Sequence, residues 1–165
     1  MKNILKTLAV CCLLFFVMQP PAVWSQFFFV ENEKIGKNAP DFTLNTLSGD
    51  NINLKKFRDG KKTIVFFWAT WCPHCRESLS EMGKEKDQFE QKGIKLALVD
   101  IGEKAAIVKK YADEHKINWM IFLDEETKIA EDYGVVGVPT FFFINEDGLV
   151  KDVQHSLPYN FEKLF

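Results

Sequence analysis

The chain has 165 residues, of which 47% are hydrophobic and 27% are charged, with 16 Phe and a formal net charge of -2. This is the length of one globular domain with enough apolar side chains for a core, which excludes a disordered protein. A near-neutral charge offers no basic field to phosphates, so we expect no nucleic-acid partner.

The first 25 residues have the pattern of a targeting segment. Two lysines precede the uncharged apolar run 7–18, and a small-residue boundary follows at 22–25. This pattern predicts a cleaved secretory signal. The alternatives are a retained membrane anchor, for which the run is shorter than the roughly 20 residues that span a bilayer, and lipid attachment at Cys11. In each case we expect the domain 26–165 to lie in the periplasm or another extracytoplasmic compartment.

The rest of the chain alternates strand and helix patterns. The apolar runs 63–68 and 94–101 are typical of strands buried on both faces. Further strands are predicted over 41–44, 51–54, 119–123, 140–144 and 149–153, and helices over 73–91, 103–115, 128–133 and, briefly, 158–165. We therefore predict an α/β domain, with a central mixed β-sheet flanked by helices and an added N-terminal β-hairpin.

Cys72 and Cys75 are the only cysteines outside the targeting segment. They close a loop too short to constrain much of the unfolded chain, so they are poor structural staples in an oxidising compartment. The pair indicates redox chemistry instead.

The sequence Cys72-Pro73-His74-Cys75 lies where a buried strand passes directly into a helix. Free N–H groups and the helix dipole favour a thiolate at Cys72, so we predict that its pKa is lower than that of a free thiol. Pro73 suits the first helical turn, where no N–H is needed. Cys75 lies one turn further on, in a position to attack a mixed disulfide at Cys72 and release the product.

Zinc binding is the other common use of two close cysteines. A structural zinc site needs two more ligands at suitable spacing. The histidines at 74, 115 and 155 are scattered, and there is no second cysteine pair. We expect no metal and no other cofactor.

Three segments carry a family resemblance: 36–44, 67–72 (Phe-Trp-Ala-Thr-Trp-Cys) and 133–140 (Tyr-Gly-Val-Val-Gly-Val-Pro-Thr). With them the chain resembles the thioredoxin fold and, within it, the TlpA/ResA-like thiol–disulfide oxidoreductases, which have an AhpC/TSA-redoxin-type domain. The resemblance covers about residues 36–153.

The resemblance implies roles for residues around the cysteines. Pro139 is expected to follow a cis peptide bond, with an ordinary trans turn as the alternative. The backbone of Val138 is expected to pair with substrate like an added strand. Trp71, Pro73 and His74 are expected to tune the active site, His74 by stabilising the thiolate and Trp71 by covering the disulfide. A solvated His74 and a Trp71 that only packs at the rim are the alternatives.

The chain also departs from its relatives at the positions that handle protons. The buried aspartate of thioredoxin, six residues before the first cysteine, is here Phe66. The glutamate of ResA-like proteins, three residues after the second cysteine, is here Ser78, with Glu77 one position earlier. The group that manages the proton of Cys75 is therefore not identified.

We expect an extracytoplasmic enzyme that exchanges electrons with protein disulfides through Cys72, a monomeric reductase of the kind that serves cytochrome c maturation. A membrane electron donor is a candidate partner. One alternative is a disulfide-forming oxidase, because Cys-Pro-His-Cys resembles the active site of DsbA. Another is a peroxiredoxin-type peroxidase, although Ala69 stands where that chemistry needs a threonine. A non-enzymatic thiol-bearing chaperone is the third.

Overall fold

The computed structural model describes residues 32–165, so the predicted targeting segment lies outside the described residues. The strands are β1 (Thr43–Asn45), β2 (Asn51–Asn53), β3 (Thr63–Trp68), β4 (Lys95–Ile101), β5 (Met120–Asp124), β6 (Thr140–Ile144) and β7 (Val150–Gln154). The helices are α1 (Leu54–Arg58), α2 (Pro73–Lys84), α3 (Lys86–Gln91), α4 (Ala105–His115) and α5 (Lys128–Asp132), followed by a 3-10 turn at Phe161–Lys163.

Five strands form the central sheet in the order β5-β4-β3-β6-β7. Strands β3, β4 and β5 are parallel, while β6 runs antiparallel to both β3 and β7. Every residue of β3 and of β6 is buried, as expected of strands covered on both faces. The predicted mixed sheet is therefore confirmed.

The two faces of the sheet bury separate apolar clusters. Alternate residues of β3 and β4 pack under α2 and α4 on one face, together with both cysteines. The intervening residues pack on the other face, against α1, α5 and the N-terminal hairpin. This division follows from the two-residue repeat of a strand, and it places the cysteine pair in the cluster of the first face.

The predicted N-terminal hairpin is present as the antiparallel pair of β1 and β2. It is joined to the edge strand β5 by a bridge from Thr46 to Phe122 and by the Leu47 N–H, which donates to the Ile121 carbonyl at 3.1 Å. The hairpin thus covers part of an edge that would otherwise expose unpaired backbone groups.

Three sequence expectations about helices are wrong in detail. The single helix predicted over 73–91 is two helices separated at Glu85, and their shared apolar stripe hides the break. Helix α1 replaces the end of the strand predicted over 51–54, because Asn53 caps a new helix there. The last predicted helix is only the 3-10 turn, held by the fully buried Phe161. Among residues 32–165, no helix has the length and hydrophobicity needed to cross a membrane.

Candidate active site

The cysteine pair lies at the junction of β3 and α2. After Trp68 the chain makes a three-residue connection, and Cys72 then serves as the N-cap of α2 with an extended backbone (φ -83°, ψ 112°). Its Sγ accepts a hydrogen bond from the Cys75 N–H at 3.1 Å. Pro73 occupies the first helical turn, where its missing N–H leaves no hydrogen bond unmade.

Cys72 and Cys75 are joined by a disulfide, with their Cα atoms 5.2 Å apart. Cys72 is 3% exposed and Cys75 is fully buried. A substrate thiol can therefore reach only the Cys72 sulfur, at the end of a helix whose free N–H groups favour an anion there. The arrangement fits a nucleophile at Cys72 with an internal thiol behind it.

The segment around Pro139 lies directly against the disulfide. The bond between Val138 and Pro139 is cis, which confirms the expected isomer. The Val138 carbonyl oxygen is 3.6 Å from the Cys72 Sγ. Backbone groups of this loop are thus next to the sulfur that a substrate would attack.

His155, the residue directly after β7, supports this loop through a contact that the sequence did not indicate. Its Nδ1 is 3.0 Å from the Pro139 carbonyl oxygen and 3.1 Å from the Thr140 hydroxyl. The Thr140 hydroxyl in turn donates to the Gly137 carbonyl at 2.7 Å. The tautomer with its hydrogen on Nδ1 can donate to both oxygens. His155 and Thr140 thus hold the loop on either side of the cis bond, at Gly137 and at Pro139.

Glu103 binds the short connection between β3 and Cys72. Its carboxylate accepts hydrogen bonds from the Thr70 backbone N–H at 2.6 Å and from the Thr70 hydroxyl at 2.7 Å. Hydrogen bonds to a charged acceptor are among the stronger ones in proteins. Glu103 lies 33 residues beyond Thr70 in the sequence, and no local pattern revealed the contact.

The remaining residues predicted for the site lie at its rim. Trp71 is 64% exposed beside Cys72, and Val136 in the loop before Pro139 is 96% exposed. His74 is also exposed, with its Nδ1 3.1 Å from Glu77 Oε2. The two segments next to the disulfide thus each carry an exposed apolar side chain, a feature suited to binding a polypeptide.

The departures from related sequences are visible in the packing. Phe66 is fully buried and stacks on Phe141 with ring centroids 4.2 Å apart. Ser78 is buried in α2, whereas Glu77 is exposed and points to His74. Neither position offers a buried acid to Cys75. Within 32–165 no group of three or more Cys, His, Asp or Glu side chains could hold a metal ion.

A buried disulfide that begins a helix and faces a cis-proline loop, on a mixed sheet with this strand order, defines a thioredoxin-like thiol–disulfide exchange protein. The AhpC/TSA family model matches residues 35–153. The chain is 34% identical over 127 residues to the thiol-disulfide oxidoreductase ResA of Bacillus thuringiensis subsp. konkukian, covering 76% of this chain and 73% of that protein.

Solved structures agree with this assignment. A thiol:disulfide interchange protein from Bacteroides sp. has a TM-score of 0.69 and 27% identity, covering 79% of this chain and 89% of that one. StoA from Bacillus subtilis has a TM-score of 0.63 and 26% identity, covering 76% and 94%. The chain belongs to the AhpC/TSA family and is a thiol–disulfide oxidoreductase of the ResA type.

Proposed function

We propose that this oxidoreductase reduces disulfides of other proteins outside the cytoplasm, with Cys72 as the nucleophile and Cys75 as the resolving thiol. The observation that carries the proposal is the position of Cys72, which caps α2 and lies 3.6 Å from the Val138 carbonyl while Cys75 is fully buried. Only one of the two sulfurs is thus available to a large substrate.

The reaction proceeds by two exchange steps. The Cys72 thiolate attacks one sulfur of the substrate disulfide, forming a mixed disulfide and releasing one substrate thiolate, which takes a proton. Cys75 then loses its proton and attacks the Cys72 sulfur, which releases the second substrate thiol and restores the disulfide. Two electrons pass from the cysteine pair to the substrate.

Surrounding residues hold the substrate and adjust the reaction. The backbone at Val138 and Pro139 pairs with the substrate chain, as in binding by strand addition. Trp71 supplies apolar contact beside the disulfide. Pro73 and His74, between the cysteines, tune the reduction potential. One chain carries both cysteines and the docking loop, so a monomer is sufficient.

The physiological setting is inferred from the sequence pattern. The N-terminal 25 residues support export, with the domain released or kept at the membrane, and a reductase in an oxidising compartment needs a membrane electron donor to return its pair to the dithiol state. The ResA-type resemblance supports a role in cytochrome c maturation. Loss of covalent haem attachment in cells lacking the protein, restored by the wild type and not by Cys72→Ser, tests that role.

A trapping experiment tests the assignment of the two cysteines. With Cys75→Ser, the mixed disulfide at Cys72 cannot be resolved, so we expect covalent adducts with substrate proteins to accumulate in cells. Cys72→Ser is the matched control and should give none. The adducts are counted on non-reducing gels and must disappear on reduction. Equal trapping by both variants contradicts the assignment, and rapid turnover of peroxide by the wild type would favour the peroxidase alternative.

A further inference from the structure

A buried acid, Asp100, lies at the carboxyl end of β4, where none of the sequence patterns placed a functional residue. It is fully buried, and neither oxygen of its carboxyl group makes a hydrogen bond of good geometry among residues 32–165, although the side chain and the backbone N–H of Glu103 are polar neighbours. Buried carboxyl groups are almost always paired, because an unpaired one is costly. An unpartnered acid of this kind is a candidate for function.

The register of the sheet brings Asp100 to the face that carries the cysteine pair. Strand β4 runs parallel to β3, with Asp100 opposite Trp68, which is four residues before Cys72. Leu96 and Leu98 belong to the same buried cluster as Cys72 and Cys75. Since side chains of a strand alternate between faces, Asp100 points into that layer as well. The indole N–H of Trp68 also lacks a partner within the described part of the chain.

The groups that face Asp100 come from several elements. The connection after β4 contributes Glu103, and Asp124 of β5, which is bound to α5 on the opposite face of the sheet, acts through its charge. Strand β3 contributes Trp68, on which Tyr111 of α4 packs at 5.7 Å between ring centroids, and Trp68 belongs to the same buried cluster as the cysteine pair. Burial first, then the charge of Glu103 and its side-chain hydrogen bond, and then the charge of Asp124 raise the pKa of Asp100 to about 8, against a smaller lowering by the Glu103 backbone N–H. At neutral pH the carboxyl group therefore holds its proton while the disulfide is intact.

We propose that Asp100 is coupled to the cysteine pair by charge, so that its ionised form takes up a proton when the disulfide is reduced to a thiolate and gives it up when the disulfide reforms. This inference rests on the proposed role of Cys72 as the thiolate. Asp100 acts on the cysteine pair through its charge, as a negative charge on either side of the same buried layer disfavours a second one.

The proton balance depends on pH in a defined way. A dithiol donor supplies two electrons and releases two protons as it forms its own disulfide, and the S–S bond of the protein breaks to give a thiolate at Cys72 and a thiol at Cys75. Below about pH 8 Asp100 is already protonated, so reduction takes up one proton, at Cys75. Above that pH Asp100 is ionised beside the disulfide, and the new thiolate raises its pKa further. Reduction then takes up two protons, one at Cys75 and one at Asp100.

The experiment measures the reduction potential of the full chain against a dithiol redox buffer from about pH 6 to pH 10. After correction for the protons that the dithiol buffer itself releases, we expect the equilibrium constant of the protein's half-reaction to fall about tenfold per pH unit below pH 8, and about a hundredfold per unit just above it. In Asp100→Asn the constant should fall about tenfold per unit throughout that span, with an unchanged value at neutral pH. A wild type with one proton throughout, or a variant that keeps the steeper region, overturns the proposal.

Two further variants make the result independent of folding defects. Asp100→Leu replaces the carboxyl group by an apolar side chain of similar size that cannot titrate, and it should reproduce the shallow profile. Asp124→Asn is the matched control, a second buried acid whose oxygens accept from Ile129 and Ala130. It should keep the steeper region, moved to lower pH because one repelling charge is lost. Loss of the steeper region in Asp124→Asn contradicts the proposal.

The test separates this inference from the proposed function. Trapping by Cys75→Ser together with equal profiles for wild type and Asp100→Asn rejects Asp100 alone. A steeper region that depends on Asp100, in a chain that fails to trap substrates, rejects the assignment of the nucleophile and supports the coupling of Asp100 to the disulfide.

Discussion

At the scale of single residues, this active site keeps a charge-bearing group where stability alone would place an apolar one. Asp100 makes no hydrogen bond of good geometry within 32–165, although Leu96 and Leu98, on the same face of the same strand, belong to an apolar cluster. Burying an unpaired polar group costs free energy that well-packed apolar atoms do not. Residues that lower stability in this way are expected at functional sites, where a strained or unsatisfied group serves the chemistry.

The substitution Asp100→Leu should therefore stabilise the oxidised protein. The pKa of Asp100 is about 8 in the folded chain against 3.8 ordinarily. Between these values the folded chain holds a proton that the unfolded chain has released, so its stability falls as pH rises through this window and levels off above it. At about 1.4 kcal/mol per unit of pKa difference, we expect the variant's gain in stability to be about 3–4 kcal/mol larger near pH 8 than near pH 5. Urea denaturation at both pH values measures the difference.

Asp124→Leu is the control for this prediction. Asp124 is equally buried, but its carboxylate accepts the N–H groups of Ile129 and Ala130 at the start of α5. Its replacement leaves two buried donors unpaired and should cost about 1–3 kcal/mol. A gain from Asp100→Leu that is the same at every pH would show that the acid does not titrate in this window.

The cysteines and the cis-proline segment could be located from the sequence, whereas the groups that support them could not. Cys72, Cys75 and Pro139 lie in short motifs whose chemistry is local. Glu103 reaches Thr70 across 33 residues, and the raised pKa of Asp100 comes from burial and from a neighbouring acid, both of which depend on strand register. Such contacts depend on three-dimensional packing, which single-sequence periodicity does not encode.

At the scale of elements, the strands were easier to predict than the helix boundaries. Continuous apolar runs mark β3 and β4 because those strands are covered on both faces. The break at Glu85 has no such mark, since α2 and α3 turn the same apolar stripe toward the sheet. Gly83, which weakens a helix interior by about 0.5–1 kcal/mol, was the only nearby signal of an interruption.

Helix α1 was not predicted, although residues that favour the start and the end of a helix are present in the sequence. Asn53 caps it, its side chain accepting from the Lys56 N–H at 3.0 Å, and Asp59 ends it in the left-handed region at φ 53°. An asparagine directly before the first helical residue is a recognised start signal, because its side chain can accept a hydrogen bond from a backbone N–H of the first turn. The strand pattern of 51–54 concealed it because Ile52 and Leu54 are both apolar.

A second prediction concerns this cap. The substitution Asn53→Ala should lower the free energy of unfolding by about 1 kcal/mol. The loss follows from an unpaired N–H at the start of α1 and from the broken contact of Asn53 Nδ2 with Asp41, at 2.8 Å. Denaturant unfolding measures the change. Asn45→Ala, in the paired strand of the same hairpin, removes only an exposed contact with Asn51 and should change stability by less than about 0.5 kcal/mol. Equal losses would mean that the cap contributes nothing of its own.

At the scale of the whole molecule, one face of the sheet carries the reactive groups and the other face supports the fold. The face under α2 and α4 contains the disulfide and Asp100, and the opposite face contains the hairpin, α1 and α5. The opposite cluster is dense in aromatic rings, among them Phe67, Phe122, Phe142 and Tyr133. This aromatic cluster supports the strands whose ends carry the active site. Substitutions in the cluster should therefore change the stability of the protein rather than the chemistry of the cysteine pair.

Tyr133 ties this supporting layer to the start of the domain. It is fully buried at the end of α5, and its hydroxyl donates to the Pro40 carbonyl oxygen at 2.7 Å, across 93 residues of sequence. Burial raises the pKa of Tyr133 well above its usual range, so the hydroxyl remains a donor at every pH at which the protein is studied. Its ring meets those of Phe67 and Phe142.

Tyr133→Phe keeps the ring packing and removes only the hydrogen bond, leaving the Pro40 carbonyl oxygen without this donor. We expect a loss of about 1–3 kcal/mol in the free energy of unfolding, with the reduction potential of the cysteine pair unchanged because the ring lies on the far face of the sheet. Tyr159→Phe is the matched control, since Tyr159 is 93% exposed and its hydroxyl should contribute nothing measurable. A shift of the potential in Tyr133→Phe, at constant pH, would show that the supporting layer and the site are not independent.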